Sequence, residues 1–436
     1  MIKELSLTNF KSFEHLGNLE IKPLTILVGK NSCGKSTILQ SLLLLKQTLE
    51  SRMQDDALCL DGNYLKYSNL KEICHNLPPV NNAQLKYEFK IENSGKSLGT
   101  IAIEFKNKRK REKFYDIVVN NIILKNIDDT VIFDSNSISL EDIKRELPDR
   151  IKKSNFSSIN LEYFHFLPKY FEIKLNKKDK TKVMFPVQFV SKELFDICSE
   201  LNSTLKNMKY LNPVRAIPQR AYLHYSQNDT ELLEDGSNSA HILWQMQKEK
   251  VIWQGISIPL IDAVNSAISC MGLSQKIAPE RIGDVLYKLN VSIFNQKNVT
   301  IADVGFGYSQ LLPIVLRCLL LKKNNLALIE QPEIHLHPSS AGNLADFFIK
   351  SIIDSKYLIV ETHSQELINR LRLNVIKNPE LRDKINIVFV TNDEGGRSQI
   401  KQFSIDNKGF FPEWPDGFLD ESQKIANEIL NARLKK

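Results

Sequence analysis

Nine consecutive residues constrain the fold of this chain more than any others. Gly29-Lys30-Asn31-Ser32-Cys33-Gly34-Lys35-Ser36-Thr37 is a complete G-x-x-x-x-G-K-[ST] loop. The apolar run Leu24–Val28 before it has the make-up of a buried strand, and Ile38–Leu45 after it is mostly apolar and free of Gly and Pro, as a helix would be. Strand, glycine loop and helix in that order form the context that turns the pattern into a site, because the loop N–H groups and the helix N-terminus then converge on an anion. The anion that fits is the phosphate chain of a nucleoside triphosphate. Lys35 would reach the β- and γ-phosphates, and the Ser36 hydroxyl would ligand Mg²⁺.

At 436 residues the chain exceeds one ordinary core, so two domains, or one domain with a large insertion, are expected. No stretch of eighteen apolar residues occurs, which argues against a transmembrane helix. The opening Met1-Ile2-Lys3-Glu4-Leu5 enters an alternating pattern and has no signal-peptide core. The six cysteines (33, 59, 74, 198, 270 and 318) form no C-x-x-C pair, which points away from zinc or a disulfide framework and toward a reducing cytoplasm. Cys33 stands at a helix N-terminus, where a thiol pKa can fall; a spacer is its simplest role. The net charge of +7 is concentrated: residues 106–182 hold 18 Lys+Arg against 12 Asp+Glu. Lys106–Lys113 contains six of those basic residues and Lys174–Lys182 another five. Such a stretch suits nucleic-acid phosphates, or equally a solvated loop in a Lys-rich and Asn-rich segment.

Residues 1–50 read as strand, strand, loop, helix. Alternating runs at Leu85–Ile91, Thr100–Phe105 and Tyr115–Leu124 predict an antiparallel sheet. Helical patterns follow at Glu193–Lys209, Glu231–Lys248 and Pro259–Met271, interrupted by Tyr210–Arg220, which its prolines keep extended. Beyond about residue 283, short apolar strands at Leu326–Ile329, Tyr357–Val360 and Ile385–Val390 alternate with helices. The expected organisation is an α/β head built from both chain ends: residues 1–80 carry the phosphate loop, 81–282 form a mixed β and helical insertion, and 283–436 complete the head.

Three motifs lie downstream of the insertion. Asp303–Gln310 places Gly305, Gly307 and Ser309 at a helix start, a second anion site in form, although a glycine cluster alone also suits an ordinary loop. Leu326–Pro338 ends an apolar strand in Glu330, where a Mg²⁺-holding carboxylate belongs. Leu358–Ser364 ends another strand in polar residues that include His363.

Together these motifs resemble the ABC/SMC-type ATPase heads, in the branch related to the ATPase half of the overcoming-lysogenization-defect (OLD) proteins. The match is nearest to bacterial ATPases with a DUF3696 segment. Ile2–Phe13 is similar to that family's first strands, Tyr210–Arg220 to its "YLGPLR…P…R" segment with Asn212 for the usual Gly, and Val304–Pro313 to its "VGFGVSQVLP" signature. Ile329–Pro338 is similar to its "IEQPELHLHP" Walker B and Gly409–Phe418 to its "WPxGF" ending. The resemblance implies an ABC-type P-loop NTPase head that binds ATP and Mg²⁺ and dimerises with ATP between protomers. Residues 29–37 of one copy would face Gly305, Gly307, Ser309 and Gln310 of the other. It further implies that Glu330 holds Mg²⁺ with Ser36, that His363 is the switch histidine, and that His335–Pro338 form the D-loop.

One position departs from the ABC pattern. The residue after the Walker B acid is ordinarily the glutamate that orients the attacking water, and here it is Gln331. Glutamine orients water but accepts no proton, so slow hydrolysis is expected unless another carboxylate substitutes. Glu333 is nearest in sequence, and it equally suits capping of the following turn. Phe10 and Phe13 are candidates for stacking on the adenine.

Similar proteins include the ATPase subunits of anti-phage systems of the Septu and PARIS kinds, which resemble a scaffold for a separate nuclease. Only about 70 residues follow His363, short for a Toprim nuclease domain, and no D-x-D cluster occurs there. The sequence therefore suggests a homodimer or higher oligomer that controls a separately encoded effector, an HNH or Toprim nuclease among the candidates. The rivals are a RecF-like repair ATPase that binds DNA through residues 106–182, and an ATP-gated interaction module without a defence role. A transporter subunit is disfavoured by the absent LSGGQ sequence and the long insertion.

Overall fold

Two hydrophobic periods run through the chain, strict alternation and continuous apolar runs, and each builds its own sheet. In a computed structural model of the protein, the described residues are 1–111, 114–138, 156–175, 182–189, 191–223, 231–273, 275–283, 286–292, 299–304, 307–411 and 421–434. The chain divides into two compact units, each gathered from separate stretches.

The first unit comprises Met1–Ile21, Ser36–Met208 and Thr391–Ile400. Its main sheet is antiparallel, with strands β1 (Ile2–Phe10), β2 (Phe13–Glu20), β4 (Gln84–Asn93), β5 (Lys96–Arg111), β6 (Phe114–Lys125) and β7 (Val131–Asp134) in the order β2-β1-β4-β5-β6-β7. Alternation does its work here: Leu85, Tyr87, Phe89 and Ile91 are buried while Gln84 and Lys90 face solvent. Helix α1 (Lys35–Glu50) buries Leu39, Leu42, Leu43 and Leu45, and the Tyr87 hydroxyl donates to the Ser41 carbonyl at 3.1 Å. The opening strands thus join the predicted antiparallel sheet through β1 and β4, a pairing of Leu5 with Phe89 that no local pattern announces. Strands β8 (Phe156–Phe164), β9 (Leu167–Leu175) and β10 (Lys182–Pro186) form a second antiparallel sheet. Helix α2 (Lys192–Asn207) is capped by Ser191, whose Oγ accepts from the Leu194 N–H.

The second unit comprises Lys22–Lys35, Lys209–Val390 and Lys401–Lys436. Its sheet runs β11 (Lys209–Leu211), β18 (Leu326–Glu330), β19 (Tyr357–Glu361), β3 (Leu24–Gly29), β20 (Ile385–Asn392) and β21 (Ser398–Phe403), and β11 through β20 are parallel neighbours. All five residues of β18 are buried, as continuous apolar runs require in a parallel sheet covered on both faces. The covering helices include α5 (Gly307–Leu320), α6 (Pro338–Ile353) and α7 (Gln365–Lys377). A smaller sheet holds β12 (Tyr222–Leu223), β15 (Ile277–Ile282), β16 (Leu286–Val291) and β17 (Val299–Thr300). Helix α8 (Glu421–Leu434) is the last described element. The architecture is α/β.

Two local expectations are corrected. The helix expected over Glu231–Lys248 shrinks to α3 (Ser239–Met246). Gly236 sits at φ +68°, and a Cβ there would lie 2.5 Å from the Pro313 side chain, so the preceding residues run as a loop pressed on α5. Strands β13 (Lys250–Trp253) and β14 (Ile256–Pro259) then form an unexpected hairpin ahead of α4 (Leu260–Cys270). Gln254 and Gly255, both at positive φ, turn it. Of the motifs named above, Gly305 and Phe306, residues 112–113 of the first basic stretch, residues 176–181 of the second and residues 412–418 of the C-terminal ending lie outside the described residues.

Candidate nucleotide-binding site

Strand order decides which side chains meet. β19 lies between β18 and β3, and in register Glu330 pairs with Glu361 and Glu361 with Leu27. The phosphate loop therefore leaves β3 beside the two acidic strand ends. Gly29 has φ +147°, and a Cβ on it would fall 2.1 Å from the Val390 carbonyl oxygen, so only glycine leaves β3 this way. Ser32 and Gly34 are also at positive φ, which turns the loop back toward α1.

Lys35 is only 4 % exposed. Its ammonium donates to the carbonyls of Gly29 at 3.1 Å and Lys30 at 2.7 Å, inside its own loop. Lys30, Asn31 and Ser32 face solvent, and Ser36 and Thr37 are half-buried in the first turn of α1. Cys33 is buried and donates its thiol to the Lys30 carbonyl at 2.9 Å. Burial pushes the Cys33 thiol up, and Lys35 only partly opposes this, so the lowered pKa expected at a helix N-terminus is not found.

At the tip of β18, Glu330 accepts a hydrogen bond from the Tyr210 hydroxyl at 2.9 Å. Burial, with the Glu361 charge beside it, pushes the Glu330 carboxyl up to about 7. Gln331 turns at φ +42°, and its N–H donates to the Glu361 carbonyl at 2.8 Å. Arg215, 6 % exposed, donates through Nη2 to the carbonyls of Glu330 at 3.1 Å and Gln331 at 3.2 Å. Its Nε and Nη1 are buried without a hydrogen-bond partner, and burial lowers its pKa to about 10, with the Glu333 charge opposing. The Glu333 carboxylate accepts the His363 backbone N–H at 2.6 Å. Burial raises the Glu333 pKa, and that hydrogen bond counters it. Burial lowers the His363 pKa, and the nearby Lys35 charge adds to that. His363 is exposed, whereas Ser364 next to it caps α7 by accepting from the Leu367 N–H.

Three residues here were given no role from sequence, Glu361, Tyr210 and Arg215, although the last two fall in the Tyr210–Arg220 segment matched above. Glu361 was visible as a lone acid closing the apolar run Leu358–Val360. Tyr210 and Arg215 reach Glu330 across about 120 positions, a contact without local trace.

The glycine motif is less open than its resemblance implies. Ser309 and Gln310, expected to face a partner's phosphates, are 7 % and 3 % exposed within their own chain. Gly307 opens α5, and a Cβ on it would meet nothing within 4 Å. Ahead of it, Arg220 donates twice to Asp303, which also accepts from Thr300. His335 is exposed, at φ +64°, and His337 caps α6 by accepting from the Ser339 N–H. Phe10 and Phe13 are fully buried in the first unit, and Phe10 packs edge-on to Tyr87, so neither is presented to an adenine. No helix among the described residues is long and apolar enough to cross a membrane.

A phosphate loop on a central parallel strand, with acids ending the next two strands on one side, defines a P-loop NTPase. The chain belongs to the AAA ATPase domain family, whose model matches residues 1–368. It is 24 % identical over 448 residues to Endonuclease GajA of Bacillus cereus (strain HuB5-5), a match covering 89 % of this chain and 59 % of that protein. Similar solved structures include an SMC head bound to the C-terminal winged-helix domain of ScpA (11 % identity, TM-score 0.46, 97 % of this chain and 99 % of that one). Another is the SMC head domain from Thermotoga maritima (15 %, TM-score 0.41, 92 % and 98 %).

Proposed function

We propose that this chain is an ATP-binding and slowly hydrolysing subunit that dimerises around ATP and controls a separate effector, a nuclease in bacterial anti-phage defence. The observation that carries the ATP reading is the buried Lys35 on a loop that leaves β3, with Glu330 and Glu361 ending the next two strands. Similarity to an endonuclease and the motif resemblance to anti-phage ATPase subunits support the defence role.

In this reading Lys35 leaves its loop carbonyls for the β- and γ-phosphate oxygens, a charge-assisted exchange that the phosphates favour. Glu330 and the Ser36 hydroxyl would hold Mg²⁺. They offer hard oxygen donors, and the Glu330 carboxylate is bonded by a hydroxyl, Tyr210, rather than paired with a cation among the described residues. Mg²⁺, when bound, supplies positive charge to the β- and γ-phosphate oxygens. His363, whose pKa desolvation and the nearby Lys35 charge both lower, would contact the γ-phosphate. Glu333 would fix His363 by its backbone.

Titration calorimetry with Mg²⁺ and ATP tests the site. The wild type is expected to bind, and Lys35→Ala to abolish the heat of binding. Unchanged binding by Lys35→Ala would remove the phosphate loop from the mechanism.

A second reading is direct DNA binding, which the exposed Lys106, Lys108 and Lys110 on β5 favour, although Lys110 is paired with Asp116 at 2.9 Å. If it holds, DNA affinity falls steeply with salt and the slope flattens when Lys108–Arg111 are neutralised.

A further inference from the structure

We propose that Glu361 is the catalytic carboxylate that takes the proton of the attacking water, the role that Gln331 cannot fill. This rests on the ATPase reading above. Each other acid at the site has a task. Glu330 ends the strand beyond β19 and suits Mg²⁺, whereas Glu333 has an oxygen bonded to the His363 N–H and lies close to the Arg215 charge. Gln331 is bound through its N–H to Glu361 and through its carbonyl to Arg215, so its backbone is part of the same frame.

Glu361 occupies the strand adjacent to β3, its Cα paired with Leu27, two positions before Gly29. In register, Glu361 stands between Glu330 on one side and Leu27 on the other, so its strand end lies between the strand that enters the phosphate loop and the strand that ends in Glu330. The strand tip is fixed from both sides: the Gln331 N–H donates to the Glu361 carbonyl at 2.8 Å, and the Thr362 N–H to the Leu27 carbonyl at 3.0 Å. An acid 2 % exposed beside another buried acid is costly to keep for packing alone, and a group held in such a place suits a reacting centre.

In the step assigned, the water oxygen bonds to the γ-phosphorus while the bond from that phosphorus to the β,γ-bridging oxygen breaks. The electron pair of that bond leaves on ADP. One water proton passes to the Glu361 carboxylate and from there to the released phosphate, and the other remains on that phosphate.

The experiment compares wild type, Glu361→Gln, Glu361→Asp and Glu333→Gln in ATP binding by calorimetry, in single-turnover hydrolysis and in melting without nucleotide. Glu361→Gln should bind ATP within about 3-fold of wild type and hydrolyse it roughly 10²-fold or more slowly, the scale of a lost general base. Glu361→Asp, which keeps a carboxylate, should recover part of the rate, and Glu333→Gln should slow it less than about 10-fold. Wild type that fails to bind ATP defeats the ATPase reading itself. Wild type that binds ATP without turning it over, Glu361→Gln at the wild-type rate, or loss of ATP binding in a well-folded Glu361→Gln defeats the Glu361 assignment alone. If Glu361→Gln melts early, Glu361→Asp decides: ATP bound with a rate at least about 10-fold down supports the role, and an unchanged rate overturns it.

Discussion

The phosphate loop owes its shape to a few atoms. Gly29 is demanded twice, by φ +147° and by the Val390 carbonyl 2.1 Å from where a Cβ would sit. Gly29→Ala should therefore cost on the order of 2 kcal/mol or more, visible as a lower melting temperature, and should weaken ATP binding as the loop shifts. Cys33 shows two effects in competition. A helix N-terminus stabilises a thiolate by a fraction of its charge, but burial removes water from all of it, and burial wins. The sign follows directly: a raised pKa leaves less thiolate at pH 7.5, so iodoacetamide should label Cys33 at least about 10-fold more slowly than free cysteine, read by peptide mass spectrometry. Labelling at the free-thiol rate would contradict the buried geometry. The loop residues were legible in sequence because their spacing is itself the mechanism. Tyr210 and Arg215 showed only as part of a family-like segment, because what they do depends on a strand that lies about 120 positions away.

Elements were legible where burial imposes a run of one kind. β3, β18 and β19 declare themselves because a doubly covered strand must be apolar throughout, and β4 to β6 because a singly covered one must alternate. β11 was hidden: three residues entering a proline-bearing segment carry no period, and only the free edge of β18 makes them a strand. The ends of elements are fixed by polar atoms instead. Lys356, buried just before β19, donates to the carbonyls of Cys318 at 2.9 Å and Leu319 at 3.3 Å in the last turn of α5. It ties the helix that follows the glycine motif to the strand that ends in Glu361. Lys356→Met keeps the length of the side chain but leaves both carbonyls unsatisfied, which should cost about 1–3 kcal/mol. A melting temperature equal to wild type would mean that water replaces the ammonium at no cost.

At the scale of the molecule, each compact unit is assembled from three separate stretches, and the chain passes between units at the phosphate loop, where Lys35 ends one stretch and Ser36 begins the next. The residues proposed to hold the nucleotide come from separate stretches of the sequence, the phosphate loop from one and Glu330 and Glu361 from another. The proposed dimer adds a second requirement, that some surface be idle in one copy and used in two. Gly307 meets it: it opens α5, and a Cβ there would meet none of the described residues within 4 Å. Ser309 and Gln310 do not, being buried within their own chain. A substitution at Gly307 should thus be silent in a single copy and harmful only across an interface. Gly307→Glu is expected to melt like wild type and to bind ATP equally well, since a Cβ there meets none of the described residues within 4 Å. In the proposed dimer, however, it would set a carboxylate against the partner's phosphates, a like-charge contact in a site from which water is excluded. Sedimentation velocity in a slow-hydrolysing background should show ATP shifting the parent to a dimer and leaving Gly307→Glu a monomer. A Gly307→Glu dimer as stable as the parent's would place the glycine motif outside the interface and remove the trans site from the mechanism.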